Sequence, residues 1–454
     1  MAACSNRADA PLDDPQPPLR HPAHEAPPDA ARLPLAVPAS QRWPALAPFR
    51  TRSFRYQWPA DLGTAWALEM ETLILGWYVL VESGSVVMLT VFGALMFVGT
   101  LLAPLMGTLG DRLGLRRVLA TMRLSYALLA SVILWLAATG RLEPTLVLGV
   151  AFLVGLIKPS DIGMRTALVS ASVPAAHLVP AMGISRTTQD SARIGGALAG
   201  AGFMASLGMV SAYVVITSLY VLGAVFTMRS GGPRGVPVAG TAPSSAGPSS
   251  PWRDLQEGLL YVWHTPQLRA AMLLAALVNL CVFPLSGGLM PYIARDVFLL
   301  DQRGLGWLVA SFAFGALLGS IGLSAIGTRL HPARTMLLAC GLWHLSLLCL
   351  ALPVSVPTAM ALYLVAGLNQ SLSMVSLAIL LLRSSEERFR GRVMGVRMLA
   401  IYTLPLGLLA AGALIPAIGF RGLVGLYVGL GLLMTACIAW VWRRELLSTP
   451  AQAS

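Results

Sequence analysis

Charged side chains are scarce in this chain: only 11% of its 454 residues are Asp, Glu, Lys or Arg. Soluble globular proteins average about 25% charged residues. Hydrophobic residues make up 56% of the chain, and its mean hydropathy is +0.71. The shortage of charge therefore excludes an ordinary soluble protein and indicates an integral membrane protein.

Lysine and cysteine are also rare. Lys158 is the only lysine, so arginine carries nearly all of the positive charge behind the net value of +12. The five cysteines show no C-x-x-C spacing and the six histidines form no ligand-like pair, so neither a disulfide framework nor a metal site is expected. The sequence also offers no nucleophile–base pair and no phosphate-binding loop, so we expect neither an enzyme nor a cofactor.

The two ends of the chain differ in composition from the rest. Residues 1–49 are rich in proline and polar residues, and no apolar segment follows a basic start, which disfavours a secretory signal. Such a composition predicts a disordered tail. A second, shorter tail is expected at 446–454.

Between these tails, apolar segments recur at lengths near the roughly 20 residues that a helix needs to cross the hydrocarbon core. The expected fold class is therefore an all-α membrane protein. We predict twelve transmembrane spans, near residues 58–81, 86–108, 118–139, 144–168, 181–206, 209–228, 268–293, 304–326, 334–353, 357–381, 393–416 and 421–442.

The sixth and seventh spans are separated by an unusually long connection, residues 230–266. Its first part is rich in Gly, Pro and Ser, which predicts a flexible linker. Segment 252–266 follows, with apolar residues on one helical face, which predicts an amphipathic helix on the membrane surface. The connection divides the chain into two six-span bundles, 50–229 and 267–445.

Arginines are distributed unevenly between the loops on the two sides of the spans. Loops on the side of the N-terminus hold Arg50, Arg52, Arg55, Arg112, Arg116, Arg117, Arg229, Arg234, Arg253, Arg329, Arg334, Arg383, Arg388, Arg390, Arg392, Arg443 and Arg444, whereas the opposite loops hold Arg141, Arg295, Arg303 and Arg421. Because cytoplasmic loops are enriched in Lys and Arg, we expect both termini to be cytoplasmic, in a bacterial-type inner membrane. The excess of arginine is thereby explained by membrane topology, and nucleic acid is not expected as a partner.

Short motifs recur in the two halves. GDRLGLRRVL (110–119) follows the second span and GTRLHPARTML (327–337) follows the eighth, with four residues matching at an offset of 217. AMGIS (181–185) and VMGVR (393–397) open the fifth and eleventh spans, with Met-Gly matching at an offset of 212. These matches indicate two six-helix halves in parallel repeat, the layout of transporters whose site lies between the halves.

The loop between the second and third spans reads GTLGDRLGLRR, residues 107–117. This loop resembles the signature loop of the major facilitator superfamily, and the resemblance covers about residues 50–445. It implies two bundles that rock in alternating access. The positions that fit the signature are Gly107, Asp111, Arg112, Gly114, Arg116 and Arg117.

The resemblance implies that this loop is a conformational switch. Asp111 at a helix end can meet the positive N-terminus of a helix in the other half, a contact that would hold the outward-open state. In the family the Asp also pairs with an Arg at the inner end of the fourth helix, for which Arg165 is the candidate. For Arg116 and Arg117 the alternative role is to fix topology.

The fifth span narrows the resemblance to one branch of the superfamily. DSARIGGALAG (190–200) resembles the N-x-A-R-x-x-G-P pattern in the fifth helix of drug-efflux and siderophore-exporter-like members. Asp190 stands where that branch often has Asn, and Ala197 stands where the proline would fall. The resemblance implies an exporter.

Charged residues inside the predicted spans are candidates for proton coupling or substrate contact, because ionisable groups in a bilayer are costly and seldom idle. Glu69 and Glu71 point to opposite sides of the first span, since two positions correspond to about 200° of a helix. The candidates from the first, fourth and fifth spans are Glu69, Asp161, Arg186, Asp190 and Arg193. The alternative role is a static ion-pair network that braces the first half.

The second half holds few charges within its spans. Its polar candidates are the amides Asn279, Asn369 and Gln370, because the resemblance implies that the first, fourth, seventh and tenth helices line the cavity. Hydrogen bonding between helices is the alternative role. The other side chains available for lining in the second half are apolar or aromatic, which favours an amphipathic or hydrophobic substrate: Phe283, Met290, Tyr363, Met374 and Tyr402.

Together these features favour a secondary transporter that exports a small organic compound at the expense of proton influx, as a monomer in the bilayer. An uptake symporter of the same fold remains an alternative, because the buried charges do not set the direction of transport. A non-transporting receptor or regulatory protein is the other alternative, which the intact switch loop disfavours.

Overall fold

The computed structural model describes residues 44–102, 110, 113–231, 251–326 and 331–447. Within these ranges the chain is helical apart from short connections, and no β-strand occurs. Helices α1 to α13 span, in chain order, Arg52–Ser83, Val86–Leu95, Leu115–Ala138, Pro144–Ser172, Ala175–Arg229, Pro251–His264, Pro266–Cys281, Gln302–Ile326, Pro332–Leu348, Val356–Arg383, Arg390–Ile401, Thr403–Val441 and Arg443–Leu447. Shorter helical turns are Pro44–Arg50, Val98–Leu102, Pro284–Gly288, Met290–Tyr292, Ile293–Val297, Cys349–Ala351 and Glu387–Phe389.

Local sequence explains where several helices begin. The hydroxyl of Ser85 accepts a hydrogen bond from the backbone N–H of Met88 at 3.3 Å, which caps α2. Pro144, Pro266 and Pro332 open α4, α7 and α9. Proline is suited to the first helical position, because it has no N–H and the N–H of that position has no partner within the helix.

Helices α5 and α12 are each long enough to cross a bilayer twice. Each is interrupted at a glycine with a positive φ, Gly208 (φ 78°) and Gly419 (φ 71°), a backbone conformation that residues with a side chain rarely adopt. The glycines divide the helices into arms that cover 175–207, 209–229, 403–418 and 420–441.

Nine helices in the described ranges are long and apolar enough to span a membrane. Two of them contain the breaks at Gly208 and Gly419 and therefore supply four spans. The shorter apolar helix Val86–Thr100 supplies one more. The all-α fold of twelve spans is confirmed; residues 103–108 of the second span lie outside the described residues.

The same close packing of helices at glycines occurs in both halves. A side chain on Gly155 of α4 would clash with a carbonyl oxygen of α2, and one on Gly367 of α10 would clash with a carbonyl oxygen of α8. A side chain on Gly99 would likewise clash with a carbonyl oxygen of α4, and one on Gly315 with a carbonyl oxygen of α10. Gly99 and Gly315 are 216 residues apart, and Gly155 and Gly367 are 212 apart. The second and fourth spans therefore pack as the eighth and tenth do, at offsets close to those of the sequence repeats.

Helix α6 in the long connection contacts the start of α11. Tyr261 stacks on Phe389 with ring centroids 4.2 Å apart, and its hydroxyl accepts the backbone N–H of Glu386 at 3.1 Å. Glu257 accepts from Arg392 at 3.1 Å. The apolar residues Leu259, Leu260 and Trp263 stay exposed, which leaves the other face of this amphipathic helix available to a membrane surface.

Candidate functional site

The two halves enclose a cavity of about 780 Å³. Helices α1, α2, α4 and the first arm of α5 line it from the first half, and α7, α8, α10, α11 and the start of α12 line it from the second. Sites for drug-sized ligands are commonly about 300–1,000 Å³. The cavity therefore has room for a small organic compound between the two bundles.

Five charged side chains line this cavity. Glu69 is the only carboxylate among the lining residues, and it lies among cations. Four cations line the same space: Lys158, Arg186, Arg193 and Arg397. Three of these cations and Glu69 come from the first half, whereas the second half supplies Arg397.

Glu69 and Glu71 face opposite sides of α1, as their spacing predicts. Glu69 lines the cavity and is partly exposed there. Glu71 is buried between helices, where its carboxylate accepts a hydrogen bond from the hydroxyl of Tyr220 at 2.7 Å. Lys158 lies within electrostatic range of both carboxylates, and its ammonium is 3.4 Å from the hydroxyl of Thr72.

The charged face of α5 is divided between the cavity and an internal ion pair. Arg186 and Arg193 line the cavity. Asp190 is buried and does not line it; its carboxylate lies 3.2 Å from Nε of Arg186, one helical turn away. The spacing of four residues accounts for this pairing.

Asp161 and Arg165 of α4 lie away from the cavity. Both are buried, and neither carboxylate oxygen of Asp161 has a hydrogen-bond partner among the described residues. Both residues lie within electrostatic range of Asp61 in α1. These charges therefore belong to a second cluster, inside the first half.

The centre of that cluster is an ion pair between Asp61 of α1 and Arg123 of α3, which sequence reasoning missed. Arg123 is fully buried and also hydrogen-bonds Thr227 near the end of α5. Gln57 donates to the Asp61 carboxylate at 2.7 Å. A signal was present, because Asp61 and Arg123 fall inside the predicted spans 58–81 and 118–139, where any charge requires a partner.

The amides of the second half are partly occupied by their own helices. The side-chain amide of Asn279 donates to the carbonyl of Ala275 at 2.8 Å, and Asn279 also lines the cavity. Gln370 lines the cavity as well. Its neighbour Asn369 is buried elsewhere and donates to the carbonyl of Val365 at 2.9 Å.

The remaining lining is largely apolar. Phe283 and Met374, which the sequence offered as lining residues of the second half, face the cavity. Tyr363, offered with them, is instead buried between helices and donates to the carbonyl of Leu285 at 3.1 Å. Other apolar lining residues are Phe92, Phe97, Met290 and Phe312. The cavity thus combines a hydrophobic wall with a cluster of cations.

The predicted switch loop is described only in part. Gly107, Asp111 and Arg112 lie outside the described residues, so the expected contact between Asp111 and Arg165 lies outside them too. Gly114 precedes α3 with a φ of 90°. A guanidinium nitrogen of Arg116 donates to the carbonyl of Ser230 at 2.9 Å, which ties the start of α3 to the end of α5. Arg117 lies in the first turn of the same helix, two residues after Leu115.

The halves are packed together at the end of the cavity where α1 finishes. Arg295, in the turn after α7, donates to the carbonyl of Leu80 at 2.6 Å. At the same end, Gly412 of α12 packs so closely on Thr90 of α2 that no side chain would fit. Close contacts at this end therefore join α1 and α2 of the first half to the second half.

A metal site is not evident from the described part of the chain, where no group of three or more Cys, His, Asp or Glu residues is placed to hold an ion. The cavity side chains instead offer ion pairing, hydrogen bonding and apolar contact.

Comparison with known sequences gives one family and one type of relative. The sequence profile described as Major Facilitator Superfamily matches residues 62–298 and 272–453. The "Multidrug efflux pump Tap" of Mycolicibacterium fortuitum is 28% identical over 166 residues, which are 36% of this chain and 40% of that protein. The protein of the same name from Mycobacterium tuberculosis is 30% identical over 168 residues, 37% of this chain and 40% of that one. The matched segment thus spans well under half the length of these relatives.

Solved transporters share the fold. The nucleoside transporter NupG aligns with a TM-score of 0.65 at 14% identity, over 86% of this chain and 99% of its own. The POT family transporter PepTSo aligns with a TM-score of 0.68 at 12% identity, over 90% of this chain and 99% of its own. A bacterial homologue of the lysosomal transporter Spinster, solved in an inward-facing and unoccupied conformation, aligns at 0.65 and 13% identity, over 89% and 100%.

Proposed function

The chain belongs to the major facilitator superfamily, and on that premise we propose that it is a secondary active transporter that exports a small organic compound in exchange for protons. The observation that carries the proposal is the cavity of about 780 Å³ between two repeated bundles, which pack against each other at one end of it. The similarity to multidrug efflux pumps supports the outward direction.

We place the protein in a bacterial cytoplasmic membrane as a monomer with both termini inside. The uneven distribution of arginines supports that orientation. In that orientation the packed end of the cavity is its outer end, so we infer that the structure is an inward-facing state. Substrate enters from the cytoplasm, and closure of α5 against α11 opens the opposite side.

Glu69 is the residue we propose to carry the proton. It is the only carboxylate among the residues that line the cavity, and a carboxylate exposed to the transport pathway can exchange protons with either side in turn. Of the other candidates, Asp190 is engaged by Arg186, and Asp161 lies in the buried cluster of the first half. We assign those two to bracing rather than to coupling.

Everted membrane vesicles test the proposal. Respiration acidifies their interior. When a compound that the protein exchanges for protons is then added outside, the compound enters, protons leave, and the interior becomes more alkaline. A pH-sensitive dye records this change. A panel of amphipathic compounds of either charge supplies the candidates. We expect at least one to raise the internal pH with the wild type and not with vesicles that lack the protein. A signal only in right-side-out vesicles would indicate uptake and contradict export.

The coupling residue is tested in the same vesicles with Glu69→Gln. We expect this variant to lose the pH change with the responding compound. The matched control is Glu82→Gln, which changes an exposed carboxylate at the end of the same helix and should behave as the wild type. A normal response from Glu69→Gln would show that the proton is carried elsewhere, while export itself would stand.

A further inference from the structure

We propose that the cavity selects amphipathic organic anions, and that Arg193 and Arg397 bind the anionic group from opposite halves of the protein. The inference rests on the proposed transport function, since it names the class of compound that the cavity takes. It is carried by the charges that line the cavity and by the partners that each of them has.

The lining is strongly unbalanced in charge. Lys158, Arg186, Arg193 and Arg397 face one carboxylate, Glu69, which gives the lining residues a formal charge of +3. A cavity lined by one sign of charge with apolar walls concentrates its field on the space inside. A cationic compound would enter against that field, whereas an anion would be drawn in.

Two of the four cations already have partners within the protein. Arg186 pairs with the buried carboxylate of Asp190 at 3.2 Å. Lys158 lies within electrostatic range of Glu69 and Glu71 and hydrogen-bonds Thr72. These interactions engage Lys158 and Arg186, whereas no ion pair engages Arg193 or Arg397 among the described residues.

Arg193 and Arg397 have no ion-pair partner and donate no hydrogen bond to any residue in the described ranges. Each lies within electrostatic range of another cation, Lys158 for Arg193 and Arg186 for Arg397. Arg193 is exposed and Arg397 is partly exposed, so both guanidinium groups are accessible to a ligand. An anionic ligand would give each of them the charged partner that it lacks.

The type of side chain points to the type of anion. A guanidinium presents its N–H groups in a planar fork that matches two oxygens of a carboxylate, sulfonate or phosphate. The rest of the lining, which includes Phe92, Phe283 and Met374, suits an apolar body. Because Arg193 belongs to α5 and Arg397 to α11, an anion held by both would bridge the two bundles that must approach for the cavity to close.

Equilibrium binding to the purified full-length protein in detergent tests the inference with three probes of one shape. The probes are 2-naphthoate, 2-naphthamide and 2-naphthylmethylammonium, which carry a negative, zero and positive charge. We expect the anion to bind at least about tenfold more tightly than the amide, as one charged hydrogen-bonded contact implies, and the cation to bind most weakly. Equal binding of the three probes, or no binding by any, would overturn the inference.

Variants then assign the selectivity to the two arginines. We expect Arg193→Gln and Arg397→Gln each to weaken naphthoate binding about tenfold and to leave the amide unchanged. Arg141→Gln, which changes an exposed arginine in a loop of the first half, is the matched control. Where a Gln variant does not fold, Arg→Lys at the same position is the second test, because lysine keeps the positive charge and lacks the planar set of N–H donors. Naphthoate binding that is unchanged in the folded variants, or lost together with amide binding, would contradict the assignment.

These measurements need no proton gradient, so their failure differs from failure of the transport proposal. Selective binding of naphthoate in a protein that exports nothing would leave the inference standing without its transport role. Proton-coupled export of cations alone, with both arginine variants fully active, would retain the transporter and refute the anionic cavity.

Discussion

The two halves of this protein share their packing but differ in their charge. In both halves, glycines bring the backbone of one helix against another at nearly equal sequence offsets. The first half buries two charged networks, Asp61 with Arg123 and Glu71 with Tyr220, whereas the second half buries aromatic and aliphatic side chains such as Trp343. The shared packing supports a repeated framework, and the difference places the buried carboxylates and buried arginines of the described residues in the first bundle.

The largest effect on stability is expected from the buried ion pair of the first half. Arg123→Gln would leave Asp61 buried without its cation, which lowers the free energy of unfolding by about 3–5 kcal/mol. Arg397→Gln, in the second half, removes an arginine that has no ion-pair partner among the described residues and should leave stability near that of the wild type. Thermal unfolding in detergent compares the two. Equal stability of the two variants would contradict the difference in buried charge between the halves.

A smaller effect, equal in both halves, is expected at the shared glycines. Gly155→Ala and Gly367→Ala each place a methyl group against a carbonyl oxygen of the neighbouring helix, at a cost of about 1–3 kcal/mol. Gly149→Ala and Gly341→Ala are the controls, since a Cβ on either would meet no described atom within 4 Å. The same unfolding measurement applies. Destabilisation in only one half would argue against a repeated framework.

Two buried tyrosines, one in each half, allow a further comparison of buried hydrogen bonds. Tyr220→Phe removes the hydrogen bond to the buried carboxyl group of Glu71 and leaves that oxygen without this donor, at a cost of about 1–3 kcal/mol. Tyr363→Phe, in the second half, removes a bond to the backbone oxygen of Leu285, which is worth about 0.5–1.5 kcal/mol. Chemical unfolding in micelles gives both values. A larger loss at Tyr363 than at Tyr220 would contradict the greater contribution of buried polar contacts in the first half.

Most of the fold could be predicted from the sequence, because hydropathy reports directly on burial in a bilayer. The two breaks within long helices were also predictable, since Gly208 lies at the predicted boundary between the fifth and sixth spans, and Gly419 lies between the eleventh and twelfth. Helix periodicity further separated Glu69, which lines the cavity, from Glu71, which does not.

What sequence could not provide was the rotation and pairing of individual helices. Asn369 and Gln370 are neighbours, and a change of about 100° in the orientation of α10 decides which one faces the cavity. The pairing of Asp61 with Arg123 depends on contact between α1 and α3, which no local pattern encodes. The pairing of Asp190, a candidate for coupling or substrate contact, with Arg186 differs in this respect, because the two residues are four positions apart on one helix and their spacing indicates the pair.

Alternating access is the central claim, and distances across both ends of the cavity test it most directly. Spin labels are placed on cysteines at Gly183 and Gly395, near the starts of α5 and α11, or at Val87 and Ile418, near the packed end where α1 finishes, in a variant without native cysteines. We expect each pair to show a short and a long distance, with the fraction open at one end rising as the fraction open at the other falls, when pH is changed between acidic and neutral. A single fixed distance at each end under all conditions, or ends that open together, would contradict the account.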